Sequence, residues 1–250
     1  MKLHGCATRA FATLAATLAI GGAAQAQQDG ARPKNVTLLG IQSATVAPSG
    51  LAFASLSGTT DRVGPGDDID GSLALGFGLG NAQTGIGLQF TGQITSLTDS
   101  FADSGYFEIK ASRQIVGGST PTYLGLSVDG GGFGDASGRD TGGKITLTSF
   151  RHAQFSEGGD YFPLMFTLGA GTNIRNNESD PGIFGGVGIG LTPNLGVSAA
   201  WSGEYVNVGA SFRFDQAPNL EVATTLYDAF DQENSRRLGI SVSYFVADLF

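Results

Sequence analysis

The sequence predicts an all-β chain, an antiparallel up-and-down transmembrane β-barrel of 12 strands, with 10 as the alternative count. Three observations carry this. Apolar residues recur with period two from about Leu51 to the end of the chain, as one-faced strands require. The opposite faces are built of Gly, Ser, Thr, Ala and Asn, where a soluble sandwich would need Lys, Glu and Arg facing water. The connections alternate between long acidic stretches and tight turns, the end-to-end asymmetry of barrels that cross a membrane.

The first strand is weak, near Leu51. Leu73, Leu75, Phe77 and Leu79 then share a parity, and Leu88, Phe90 and Ile94 follow after the turn at Asn81. Phe107, Ile109 and Ala111 alternate with Glu108, Lys110 and Ser112, and Leu124, Leu126 and Val128 with Gly125, Ser127 and Asp129. Ile145 and Leu147 flank Thr146, and Leu164, Phe166 and Leu168 alternate with Thr167 and Gly169. Val187, Ile189 and Leu191 are spaced by glycines. Leu195, Val197, Ala199 and Trp201 pair through a short break with Val206, Val208, Ala210, Phe212 and Phe214. A second weak strand covers Leu220, Val222 and Leu226, and the last holds Leu238, Ile240, Val242, Tyr244 and Val246. Pro48, Pro65, Pro121, Pro181, Pro193 and Pro218 fall between strands, because a ladder needs the N–H that proline lacks. One connection breaks the pattern: residues 152–161, which include His152 and Tyr161, form a long link on the side of the tight turns.

Residues 1–26 read as a secretory signal peptide, with Lys2 and Arg9 ahead of an apolar run and Ala24-Gln25-Ala26 at the cleavage position. The run is shorter than the roughly 20 residues of a spanning helix, and Cys6 precedes it, where a lipoprotein anchor would follow. Without that segment no cysteine is left to form a disulfide. Removing Lys2 and Arg9 leaves 12 basic residues against 22 acidic ones, a net charge of −10 that argues against nucleic acid as a partner. Charged residues are only 14% of the chain, against roughly 25% in soluble domains, and 40 residues are glycine. Residues 27–49 precede the barrel (50–250) and either plug it or lie outside it in the periplasm.

Aromatic residues gather near strand ends: Phe107, Tyr123, Phe150, Phe162, Trp201, Tyr205, Phe214 and Tyr227. Girdles of this kind mark the two membrane interfaces, and Trp201, Tyr205 and Phe214 are the candidate anchors. The ending RRLGISVSYFVADLF resembles the closing strand of bacterial outer-membrane β-barrel proteins, porin-like in kind. Arg237, Gly239, Val242 and Tyr244 fill the positions of that family's assembly signal, and Phe250 supplies its terminal aromatic. Asp248 departs from the apolar parity, so the strand should end near Val246. The resemblance implies export to the outer membrane of a Gram-negative bacterium, insertion by the barrel-assembly machinery, and outer-membrane lipid around the barrel.

No catalytic constellation stands out. His152 is the one histidine outside the leader, and no serine–histidine pair is evident at the long-loop rim. The acidic runs at 66–71 and 131–135 put carboxylates beside glycines but match no calcium loop, so neither a metal nor a cofactor is expected. By parity Glu108, Lys110, Asp129, Lys144, Arg213, Glu221 and Arg237 face inward and line the lumen. A barrel of this size is wider than an eight-stranded one filled by side chains, yet narrower than an open porin. The leading expectation is therefore a narrow porin or channel for passive diffusion of small polar solutes. The alternative is a non-conducting structural or surface-interaction barrel acting through its acidic loops.

Overall fold

The computed structural model describes residues 32–60, 71–95, 97, 101–175 and 181–250. The leader (1–26), the acidic run at 61–70 and the carboxylates at 178 and 180 lie outside the described residues. Twelve strands form a single sheet. The first six are β1 (Ala52–Thr59), β2 (Gly71–Gly80), β3 (Gly87–Ile94), β4 (Gly105–Val116), β5 (Thr122–Phe133) and β6 (Gly142–Gln154). The rest are β7 (Tyr161–Gly171), β8 (Gly182–Gly190), β9 (Leu195–Trp201), β10 (Val206–Arg213), β11 (Leu220–Tyr227) and β12 (Arg237–Val246). Each strand runs antiparallel to its sequence neighbours, and β1 closes the ring on β12 with Ala52 opposite Val246. Closure removes every free edge, so the strands need no guarding lysines or prolines. Both weak strands of the sequence, at Leu51 and Leu220, are full members of the ring, and β12 ends at Val246.

Burial runs opposite to that of a soluble protein. The apolar parity points outward and is exposed: Leu56 51%, Ile109 50%, Leu126 54%, Leu168 63% and Ile240 53%. The polar parity is buried, as in Ser55, Ser127, Thr148, Ser211 and Ser243. Across the closing seam the inward hydroxyls of Ser55 and Ser243 bond at 2.8 Å. An apolar belt around a closed sheet fits a hydrocarbon solvent, where every backbone group must find its partner within the protein.

Two connections differ from the sequence expectation. Strand β6 continues through His152 to Gln154, so the irregular link shrinks to residues 155–160, and His152 lies in a strand opposite Pro163. The glycines at 131 and 132 belong to β5, and the connection is residues 134–141, opened by a short 3-10 helix at 134–138.

Residues 32–50 enter the barrel at the end where β1 begins and β12 stops (the near end), climb, reverse and descend. Asn35 bonds there to Thr192 O (2.8 Å) and Ser211 Oγ (3.0 Å). The Leu39 N–H donates to Ser198 Oγ higher up β9, and Asn207, near the far end of β10, donates to Gly40 O. Gly40 makes the reversal with φ +82°, where a side chain would be strained and would strike Asn207. The descent runs past Gln42 at Ser127, Ala44 at Thr148 and Ala47 at Gln89. The Leu51 carbonyl then accepts from Gly78 N–H at 2.9 Å, where β1 begins. This strap carries its own apolar core: Val36, Leu38 and Ile41 pack on Met165, Phe184 and Ala200, with Phe150 and Ile174 beside them.

Candidate functional site

The site is the lumen, and the strap divides it. On the wall of β8–β10 the strap backbone lies against glycines. A Cβ at Gly188 would stand 1.8 Å from Thr37 O, and one at Gly196 would stand 2.3 Å from Asn35 O. On the facing wall Gly125 meets Ala44, and Gly78 meets Ala47. Much of the interior glycine thus leaves room for a second layer of main chain. The wall's side chains then bond to that main chain: Ser198, Thr148 and Gln89 accept its N–H groups, and Asn207 donates to its carbonyl. Thr148 also bonds to Thr167 at 2.8 Å, which fixes the hydroxyl that holds Ala44.

The inward charges fall into three groups. On β5 and β6, Asp129 accepts from Lys144 Nζ (3.2 Å) and from Arg139, which reaches in from the β5–β6 connection and lies over the Tyr106 ring. Glu108 accepts from Gln42 of the strap, and Lys110 sits one inward position further along β4, 6% exposed. Near the opposite rim Arg213 Nε donates to Glu221 Oε2 at 2.7 Å across β10 and β11, where the two residues are register partners. Toward the far end Arg237 donates to the Tyr205 hydroxyl (3.2 Å) and stacks over Tyr227. Gly239 gives the Tyr227 ring its place, since a Cβ there would stand 2.6 Å from Cε2.

The other sequence candidates are placed as follows. Trp201 (37% exposed), Val242 (40%) and Tyr244 (52%) point outward, and Phe214 packs edge-on against Phe212 at the near end. Phe250 lies beyond β12, exposed, with its carbonyl near Gly50. Tyr205 turns its hydroxyl to the lumenal Arg237. Three aromatics of the expected girdle are inside instead: Tyr227 lies under Arg237, and Tyr123, 6% exposed, meets Phe150 edge-on at 6.1 Å. Their parity is the lumenal one, and Phe150 packs beside the strap's apolar core. Met165, Phe184 and Phe53 are further inward bulky residues that sequence reasoning missed. Their signal was a large side chain on a parity otherwise made of Gly, Ser and Thr.

Outside the strands two carboxylates are held below the usual range. At the near rim Asp215 accepts from Asn194 and is paired with Arg32 of the strap. After β11, burial of Asp228 favours its neutral form, but the N–H groups of Ser235, Glu233 and Gln232 outweigh that and hold its carboxyl low. Among the described residues no group of three or more His, Cys, Asp or Glu side chains could hold a metal.

No protein-family model matches the chain, and no curated protein sequence does. Among solved structures it is similar to KdgM porin in complex with disordered oligogalacturonate, at 10% identity and a TM-score of 0.51. That match covers 78% of this chain and 98% of the other. A second KdgM porin structure matches at 13% identity and TM-score 0.49, covering 78% and 98%. The outer membrane protein Omp33 of Acinetobacter baumannii matches at 11% and 0.45, covering 78% and 97%. The first likeness shows a shared barrel fold, and the chemistry of this lumen follows from its own residues.

Proposed function

We propose that this protein is an outer-membrane barrel of a Gram-negative bacterium, acting as a narrow channel for passive diffusion of small polar solutes, with residues 34–47 as its plug. The observation that carries the reading is an inward face of hydroxyls, amides and ion pairs enclosed by an outward apolar belt. A barrel needed only as a structural element could fill its interior with packed side chains. Here glycines and hydrogen-bonding residues line it, and the space is taken by a strap outside the sheet. The role is passage without chemistry: His152 is exposed near the near end of β6, and no nucleophile is bonded to it among the described contacts.

The strap's apolar packing across the lumen favours a second reading, a non-conducting barrel closed for good. Planar-bilayer recording on refolded protein separates the two. Full-length protein should conduct rarely, and a variant lacking residues 34–47 should conduct steadily. Liposome swelling with neutral and acidic saccharides would then rank solutes. If neither protein conducts although both fold, the channel reading is wrong and the structural one stands.

A further inference from the structure

On the inward face of β4 two successive polar groups lack partners. The Lys110 ammonium, 6% exposed, has no hydrogen bond and no carboxylate within ion-pair distance among the described residues. The Ser112 hydroxyl, 2% exposed, has no hydrogen-bond partner either. A buried ammonium is costly unless an anion or water answers it. The groups around it are committed elsewhere. Asp129 is taken by Lys144 and Arg139, and Glu108 by Gln42. Gln89, the register partner of Lys110 on β3, accepts from Ala47 and donates to Thr91. Ser127, its partner on β5, donates to Gln42. Among the described residues the Lys110 ammonium is thus left without a carboxylate of its own.

The space beside Ser112 is shaped as well. Its register partners are Gly87 and Gly125, so no side chain stands on either side. The strap roofs both positions, Val46 over Gly87 and Ala44 over Gly125. Alternate residues of a strand face the same way about 7 Å apart, close enough for both groups to reach one small ion.

We propose that Lys110 Nζ and Ser112 Oγ bind a small monovalent anion, a halide or a compact carboxylate, on the lumenal wall beneath the strap. The site gives the Lys110 ammonium and the Ser112 hydroxyl the partner they lack on the wall. It requires no conduction, so its failure leaves the channel reading untouched, and the reverse holds too.

The test is the NMR line width of bromide over refolded full-length protein, beside Lys110→Met and Ser112→Ala, with heat-modifiable gel migration reporting folding. Wild type should broaden the line strongly, and chloride and acetate should reverse it while sulfate does not. Lys110→Met should lose the broadening and Ser112→Ala should weaken it several-fold. Competition by chloride alone would assign a halide site, and competition by both a site for either anion. Equal broadening by wild type and folded Lys110→Met would overturn the proposal. Should Lys110→Met fail to fold, unchanged broadening by Ser112→Ala would overturn it.

Discussion

A Cβ added to Gly188 would stand 1.8 Å from the carbonyl oxygen of Thr37. Wall and strap therefore touch where the wall has no side chain, and any larger residue must displace one of them. The sheet is locked by ladders on both sides of β8, while this part of the strap bonds mainly to wall side chains and turn carbonyls, so the strap gives way. Gly188→Leu should disfavour docking by at least about 1–3 kcal/mol. Bilayer recording should show steady openings, and limited proteolysis should cut within residues 34–47 while the barrel stays intact. A variant that stays closed and resistant would mean that the wall yields instead.

Leu38 is wholly buried among Met165, Phe184 and their neighbours, and it is the apolar anchor of the strap. Leu38→Ala should weaken docking by about 2–5 kcal/mol, the usual range for such a truncation. Barrel stability in urea should change far less, because the ring is closed without the strap. Hydrogen exchange of the Leu39 and Ala44 amides reads the docking directly. Protection equal to wild type would remove Leu38 from that role.

Val208 points outward, 43% exposed, between Leu226 and Ala199 on the neighbouring strands. An arginine there would enter the apolar belt toward its far end, so Val208→Arg should destabilise the barrel, by somewhat less than the roughly 2–4 kcal/mol of an arginine at mid-membrane. Urea unfolding in lipid vesicles measures it. At the adjacent Gly209 an arginine would meet Leu39, since a Cβ there already stands 2.7 Å from Cδ1. Gly209→Arg should therefore unseat the strap and open the lumen. Wild-type stability for Val208→Arg would reverse the assignment of faces.

The ring was legible because lipid enforces period two: Leu164, Phe166 and Leu168 must all face out, whatever they pair with. The same parity placed Asp129, Lys144, Arg213 and Glu221 inside. Pairing across strands depends on register, which parity does not give, so Arg213 opposite Glu221 became visible only in the closed sheet. The strap was hidden for another reason. Its main chain bonds to wall side chains in place of a ladder, so residues 34–47 carry no strand or turn signature. Phe184, alone among glycines on its parity, was the readable trace of something to pack against. His152 was misplaced because β6 overruns the rim to Gln154.

Asp228 organises the turn after β11, its carboxylate accepting from the N–H groups of Gln232 (2.6 Å), Glu233 (3.0 Å) and Ser235 (3.1 Å). Its folded pKa lies below the unfolded value of about 3.9, so the bonds stabilise the turn above that pH. The stabilisation is lost as pH falls through the depressed folded value. Exchange protection of those amides should therefore hold from neutral pH to about 5 and disappear only below about 4. In Asp228→Ala it should be absent throughout. Loss in the wild type already above pH 5 would mean that the carboxylate is not held low.

Arg213 and Glu221 face each other across β10 and β11, with side chains 27% and 10% exposed. The pair is partly screened by water at the near rim, so its coupling should sit below that of a fully buried pair. Glu221→Gln keeps the shape but leaves the guanidinium unmatched, and should cost about 1–3 kcal/mol. Arg213→Met strands the better-buried carboxylate and should cost at least as much. In the double variant much of both penalties should vanish, giving a coupling of about 0.5–3 kcal/mol that shrinks as salt is raised. The cycle is read from urea midpoints in vesicles. Strict additivity of the two single changes would show that the 2.7 Å contact contributes nothing beyond each residue's own packing.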